Sequence, residues 1–135
     1  MELLEERQTR GFERAGLACG VDKRILFLDP MDRKLLEMTV QGTLTRREAA
    51  LLVGRTSGTI SRRVRLLLKR LHDPMVAALV DYGQLLPAMY REVGLAYFLR
   101  RLSLTRIAAE FGLSRYTAKR MLQYIRGWHD AGKRR

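Results

Sequence analysis

The chain has 135 residues, 47% of them hydrophobic, which suffices for one domain with a buried core or for two small domains. Its 26 Lys and Arg residues against 14 Asp and Glu residues give a formal charge of +12, which favours nucleic acid or an anionic membrane as partner. One cysteine, Cys19, and two histidines exclude an intrachain disulfide and a four-ligand zinc cluster, so we expect no metal and no cofactor.

The positive charge is concentrated in two blocks. Residues 31–75 carry ten basic and four acidic residues, and residues 101–135 carry nine and two. A membrane-surface helix would leave its apolar face unpacked, whereas here the apolar faces are needed to close a core. The acidic start lacks the hydrophobic segment of a secretory signal, and no stretch approaches the roughly 20 apolar residues that span a bilayer. We therefore expect a cytoplasmic protein with no membrane partner.

The N-terminal segment differs from the rest of the chain. Residues 1–28 mix charged residues with glycines and show poor periodicity, so we predict a loosely ordered arm in which only residues 24–28 are apolar enough to be buried. Asp29 as N-cap and Pro30 at the first helical position then predict a helix over residues 30–41.

A first helix-turn-helix unit is predicted over residues 29–73. Thr45 and Glu48 have the spacing of a capping box, which begins a short helix over residues 46–53. Gly54 permits the positive φ of a helix C-terminus, and a new cap follows two residues later. This tight joint between two helices is typical of a helix-turn-helix.

The long helix after this joint, about residues 57–71, has two chemically different sides. One side is apolar and carries Ile60, Val64, Leu67 and Leu71. The other side carries Gly58, Ser61, Arg62, Arg65 and Lys69. A helix of this composition can bury one side in a core and lay the other against a polyanion.

A short apolar helix is predicted to connect two halves of the chain. Asp73 and Pro74 begin it, Gly83 ends it, and the connecting segment covers residues 74–86. So apolar a helix must be buried, and we favour packing within the chain over a dimer seam. The chain would then be a monomer that acts as a pseudo-dimer, with a homodimer as the alternative.

The second half repeats the plan of the first. Helices are predicted over about residues 88–100, 104–111 and 115–128, with Ser103 and Ser114 as caps and Gly112 in the turn. They form a second unit over residues 87–130, followed by a basic tail over residues 131–135. A shift of 58 positions superimposes Met31 on Met89, Arg33 on Arg91, Leu44 on Leu102, Ala50 on Ala108, Gly54 on Gly112, Thr59 on Thr117, and Arg62 on Arg120. We interpret this as an internal duplication.

Four segments together resemble region 4 of bacterial sigma-70 family factors. They are LDP at residues 28–30, LTRREAA at residues 44–50, Gly54, and TSGTISRRV at residues 56–64. The resemblance covers residues 28–72 and, through LTRIAAEFGLS at residues 104–114, more faintly residues 86–129. It implies an all-α fold with two tandem helix-turn-helix units of this type, joined by a short helix. No segment of the first 28 residues is long enough for a promoter-melting domain, so we do not expect a complete sigma factor.

In that family the second helix of the motif enters the major groove of promoter DNA. By position, the resemblance assigns base contacts to Ser57, Gly58, Thr59, Ser61, Arg62 and Arg65, and in the second copy to Arg115, Tyr116, Thr117, Lys119, Arg120 and Gln123. Arginine forks match guanine O6 and N7, hydroxyls reach several base edges, and glutamine can read adenine. Contact chemistry assigns phosphate to Arg46, Arg47, Thr56, Lys69, Arg70 and Ser114.

The resulting hypothesis is sequence-specific binding to double-stranded DNA by a small transcriptional regulator with two recognition helices. The alternatives are a sigma-like module that docks on RNA polymerase, and a phage-type accessory protein for DNA packaging or recombination. An enzyme is not expected, because no acid pair, activated nucleophile or phosphate-cradling loop is found.

Less specific interpretations of single features stay open. The basic helix sides could be solvated surface, and the helical joints could serve packing alone. Tyr116 could stack on a base or sugar, or simply cover the surface. His72 and His129 lie near helix ends, where the helix dipole favours an imidazolium, so a structural role is preferred to a ligand role.

Overall fold

The computed structural model describes residues 22–133, and these residues form an all-α fold, as predicted. The α-helices are α1 (Asp22–Ile25), α2 (Pro30–Thr39), α3 (Arg46–Val53), α4 (Ser57–Leu71), α5 (Pro74–Tyr82), α6 (Ala88–Phe98), α7 (Leu104–Phe111) and α8 (Arg115–Lys133), with a 3-10 turn at Gly83–Leu85. They divide into two compact units, unit 1 up to His72 and unit 2 from Asp73. No helix within the described range is long and apolar enough to cross a membrane.

Unit 1 is built around the apolar side of α4. Helices α2 and α3 both pack on α4. The buried side chains of α4 are Ile60, Val64, Leu67, Leu68 and Leu71. They include all four residues predicted to face inward. Burying a side chain of this size contributes about 1.5 to 3 kcal/mol, so this side of α4 is fixed against the core.

The end of the predicted N-terminal arm is part of this core. Residues 22–28 contain α1, and Ile25 and Leu28 are buried. Arg24 donates a hydrogen bond to the carbonyl of Leu71, 2.8 Å away, at the end of α4. Ile25 and Leu28 thus belong to the core of unit 1, while residues 1–21 of the predicted arm lie outside the described residues.

The turn between α3 and α4 has the caps that the sequence predicts. Thr45 Oγ1 accepts from the backbone N–H of Glu48, and the Glu48 carboxylate accepts from the N–H of Thr45. Gly54 ends α3 with a φ of 77° and a ψ of 32°, the left-handed region that glycine adopts without steric cost. Thr56 then caps α4 by accepting from the N–H of Thr59.

Unit 2 repeats this local plan. Ser103 caps α7, Gly112 ends it with a φ of 65° and a ψ of 35°, and the Ser114 hydroxyl accepts from the N–H of Thr117 at the start of α8. The buried side chains of α8 are Ala118, Met121, Leu122 and Ile125. Of these, Ala118, Leu122 and Ile125 are the residues that the helical period of the sequence predicts to face inward. The helix extends to Lys133, beyond the predicted end near Trp128, so residues 131–133 of the predicted tail are helical.

The predicted connecting helix, α5, is packed within unit 2 against α6. Its apolar side chains Val76, Leu79 and Val80 are buried, as expected for packing within the chain. Gly94 of α6 makes this possible, because a Cβ there would lie 3.0 Å from Leu79 and 3.1 Å from Ile125. The guanidinium of Arg91 donates to the carbonyls of Leu79 and Val80, at 3.0 and 2.7 Å, near the end of α5.

In each unit the long last helix is braced against an earlier helix, and the chemistry of this contact differs between the units. In unit 1, Arg63 of α4 makes a two-pronged ion pair with Asp32 of α2, at 3.0 and 2.7 Å. The hydrogen bond to Asp32 raises the pKa of Arg63, against the opposing effect of burial. In unit 2, Tyr90 of α6 meets Tyr124 of α8 edge to face, with ring centroids 5.2 Å apart. The 58-residue shift places Tyr90 at the position of Asp32.

We expect Arg63→Ala to lower the free energy of unfolding by about 1 kcal/mol, because it leaves the carboxylate of Asp32, only 16% exposed, without this partner. Arg63 itself is 41% exposed, and solvent screening there keeps the effect moderate. The matched control is Arg33→Ala, which breaks an exposed pair with Glu37 one turn away and should cost about 0.5 kcal/mol or less. Chemical denaturation measures both; equal losses would contradict the bracing role of Arg63.

We expect Gly54→Ala to lower the free energy of unfolding by about 1 to 2 kcal/mol, because its left-handed φ strains a residue with a Cβ. The control is Gly58→Ala within α4, where a Cβ meets no atom within 4 Å and alanine favours the helix. Thermal unfolding should show opposite signs for the two variants. A stable Gly54→Ala protein would mean that the turn tolerates another backbone conformation.

Candidate nucleic-acid interface

The predicted contact residues of unit 1 lie on the first half of α4. Gly58, Thr59, Arg62 and Arg65 are exposed, and Ser57 and Ser61 are half-buried. The caps fix the start of this helix, and the buried apolar side fixes its rotation about its own axis. The small residues Ser57 and Gly58 at its first turn leave the backbone N–H groups accessible to an anion.

The outward side of α4 is cationic and is not neutralised by its own helix. α4 contains five basic residues and no acid. Of these, Arg63 turns to Asp32 on α2. Arg62, Arg65 and Lys69 are exposed and have no ion pair within residues 22–133. Exposed cations without acidic partners favour a polyanionic partner.

The predicted contact residues of unit 2 form a similar surface on the first half of α8. Every one of them is exposed: Arg115, Tyr116, Thr117, Lys119, Arg120 and Gln123. The only acid of α8 is Asp130, near its other end. The guanidinium carbon of Arg120 lies 5.7 Å from the centre of the Tyr116 ring, and its Nη1 is 3.4 Å from the Tyr116 hydroxyl.

Four of the six predicted phosphate contacts are exposed. Two of them are the basic residues Arg47 and Lys69. Thr56 and Ser114 are exposed as well, and their side chains hydrogen-bond to Thr59 and Thr117 in the first turns of α4 and α8.

The other two predicted phosphate contacts, Arg46 and Arg70, are less exposed than these four. Arg70 is half-buried on the last turn of α4. Arg46 is only 7% exposed, because the first residue of α3 packs into unit 1 with the neighbouring Thr45. So little exposure makes Arg46 the least accessible of the six predicted phosphate contacts, and its assignment stays a prediction.

The structure also presents exposed groups to which the sequence assigned no role. Arg126 of α8 lies over two rings at the end of α6, 5.8 Å from the centre of Tyr97 and 5.6 Å from that of Phe98. In unit 1, Leu51 and Leu52 on α3 are 84% and 70% exposed. The adjacent aromatic residues Tyr97 and Phe98 were a sequence signal for the contact with Arg126. The run of apolar residues at the end of α3 was a signal for the exposed leucines.

Each unit thus presents an accessible helix start with hydroxyls, arginine forks and uncompensated positive charge. Arginine forks and hydroxyls are groups that can read base edges, and lysines and helix N-termini can hold phosphate. The two surfaces therefore have groups suited to contact with a polyanion.

Residues 71–134 match the sequence model of the family described as ECF sigma factor. Comparison with curated proteins and with solved structures found no match. The matched range contains the whole of α5 to α8, including the surface on α8. Together with the motif in the sequence, the match identifies a domain in the second half of the chain that is similar to region 4 of sigma-70 family factors.

Proposed function

We propose that the chain is a small transcriptional regulator that binds double-stranded DNA sequence-specifically, with α4 and α8 each entering a major groove. Each would be the recognition helix of a helix-turn-helix unit. One observation carries the proposal: in both helices the buried side chains close a core, while none of the predicted base-contacting residues is buried, and all but Ser57 and Ser61 are exposed.

Affinity and specificity would come from different residues. Lys69 and the helix N-termini would contact phosphates, which adds salt-dependent affinity without reading sequence. Arg62 and Arg120 would read base edges, where a well-formed two-pronged contact discriminates by about 1 to 3 kcal/mol.

Two units on one chain would reinforce each other. Once one unit is bound, its tether raises the effective concentration of the other to about the millimolar range. Because the contact residues of the two units differ, the preferred DNA site should be asymmetric. Half-sites about 34 Å apart would fit paired modules on one face of a duplex.

We expect the double variant Arg62→Ala, Arg120→Ala to lose about tenfold or more in affinity for a preferred duplex, since each arginine would lose a base contact of at least about 1 kcal/mol. The measurement is a gel-shift titration with duplexes selected from a random library. Arg33→Ala is the control, because this arginine is on α2 and pairs with Glu37. Unchanged binding by the double variant would refute the major-groove assignment.

We expect Lys69→Ala to weaken binding to all duplexes alike and to reduce the slope of log affinity against log salt by about 0.9, the value for one lost phosphate contact. Titrations of the preferred duplex and of a scrambled one, each at several salt concentrations, separate this effect from base reading. A loss confined to the preferred duplex would mean that Lys69 contacts a base.

A second candidate function is docking on RNA polymerase. The observation that favours it is the pair Leu51 and Leu52, adjacent and largely exposed on α3, since such apolar exposure is typical of a protein contact. The double variant Leu51→Ser, Leu52→Ser should then lose capture of purified RNA polymerase while its DNA affinity stays unchanged. Capture by the parent chain without any DNA binding would favour docking over the regulator.

A further inference from the structure

The two predicted recognition helices differ in how their matched arginines are held. On α8, Arg120 lies against Tyr116, one helical turn earlier, with its guanidinium carbon 5.7 Å from the ring centre. On α4, the 58-residue shift matches Arg62 to Arg120 and Gly58 to Tyr116. Arg62 therefore has no ring at the equivalent place, and it has no hydrogen-bonding or ionic partner of its side chain within the described range.

Tyr116 is the group that restrains Arg120. α8 has no acid before Asp130, and no ion pair of Arg120 occurs within residues 22–133. The 3.4 Å separation of Nη1 from the Tyr116 hydroxyl makes that hydrogen bond long, so the ring face provides the larger part of the restraint. A ring at this distance limits the rotamers of a long side chain and leaves other guanidinium donors available.

We propose that Tyr116 is a positioning residue, which holds the guanidinium of Arg120 ready to form its two hydrogen bonds with a guanine. An arginine already ordered in the free protein loses less rotamer freedom on binding, and cation–π attraction strengthens when water is excluded. Unit 2 then discriminates the base read by Arg120 more sharply than unit 1 discriminates the base read by Arg62. This inference rests on the proposed DNA-binding function.

The position also explains the exposure of the tyrosine. Tyr116 is 68% exposed, although an exposed ring gains nothing from a core. The sequence left open whether Tyr116 contacts DNA or only covers the surface. The proposed positioning of Arg120 accounts for the exposed ring without either role.

The test is a double-mutant cycle on the duplex selected by the parent chain. Duplexes with each base changed in turn are bound by the parent, Tyr116→Phe, Tyr116→Ala, Arg120→Ala and the double variant Tyr116→Ala, Arg120→Ala. We expect Tyr116→Ala to reduce the preference for one guanine about fivefold and leave other positions unchanged, while Tyr116→Phe keeps most of the preference because it keeps the ring. In the Arg120→Ala background, removal of the tyrosine should have no further effect.

Any other outcome contradicts either the positioning role of Tyr116 or the proposed function. An equal loss on removing Tyr116 with and without Arg120 would mean that the tyrosine contacts DNA itself, and unchanged preference in Tyr116→Ala would end the positioning role. A parent chain that selects no duplex would instead overturn the proposed function. Circular dichroism of every variant distinguishes unfolding of α8 from loss of the contact between Tyr116 and Arg120.

Unit 1 offers the reciprocal experiment. Gly58 lies in α4, and a Cβ there would meet no atom within 4 Å, so a tyrosine can be introduced without a backbone clash. We expect Gly58→Tyr to sharpen the preference at the base read by Arg62 about threefold, with Gly58→Ala as the control for the added Cβ. A change equal to that of Gly58→Ala would show that the ring is not what distinguishes the two arginines.

Discussion

The rest of the structure depends on the left-handed glycine between each short helix and the long helix that follows. Gly54 and Gly112 reverse the chain within two residues of the next cap, so the long helix must start directly after Thr56 or Ser114. Its rotation is then set by burying one apolar side. Because successive residues are about 100° apart on a helix, a shift of one residue would bury Arg65 in place of Val64. The turn therefore decides which side chains can meet a partner.

The two units share this turn and differ in what surrounds it. Asp32 and Arg63 brace unit 1 with an ion pair, whereas Tyr90 and Tyr124 do so in unit 2 with rings. The ion pair has a further consequence for the surface, because it draws one arginine of α4 away from the outward side. Each unit has a long helix with a core side and a cationic side. The contact that braces this helix differs between the units, and the shared sequence pattern does not predict the difference.

Local signals explain why so much of this fold was predictable. The capping box at Thr45, the turn glycines and the period of apolar residues act over a few positions, and they predicted the helices and their buried sides. The burial of Arg46 was not predicted, because it depends on how α3 packs, which no neighbouring residue encodes. The partner of Arg63 lies 31 residues away, beyond any local pattern. Residue type and charge alone do not distinguish a buried arginine or an ion-paired arginine from an exposed one.

The two candidate functions need not compete for the same residues. DNA reading is proposed for α4, whereas the exposed leucines that favour a protein partner are on α3. In unit 2 the residues at the positions of Leu51 and Leu52 are Ala109 and Glu110, which offer little apolar surface. The two kinds of surface are thus distributed differently: both units carry a long helix with a cationic side, whereas the leucine pair is in unit 1. A protein partner of this kind would have to choose unit 1, while a duplex has a surface to meet in each.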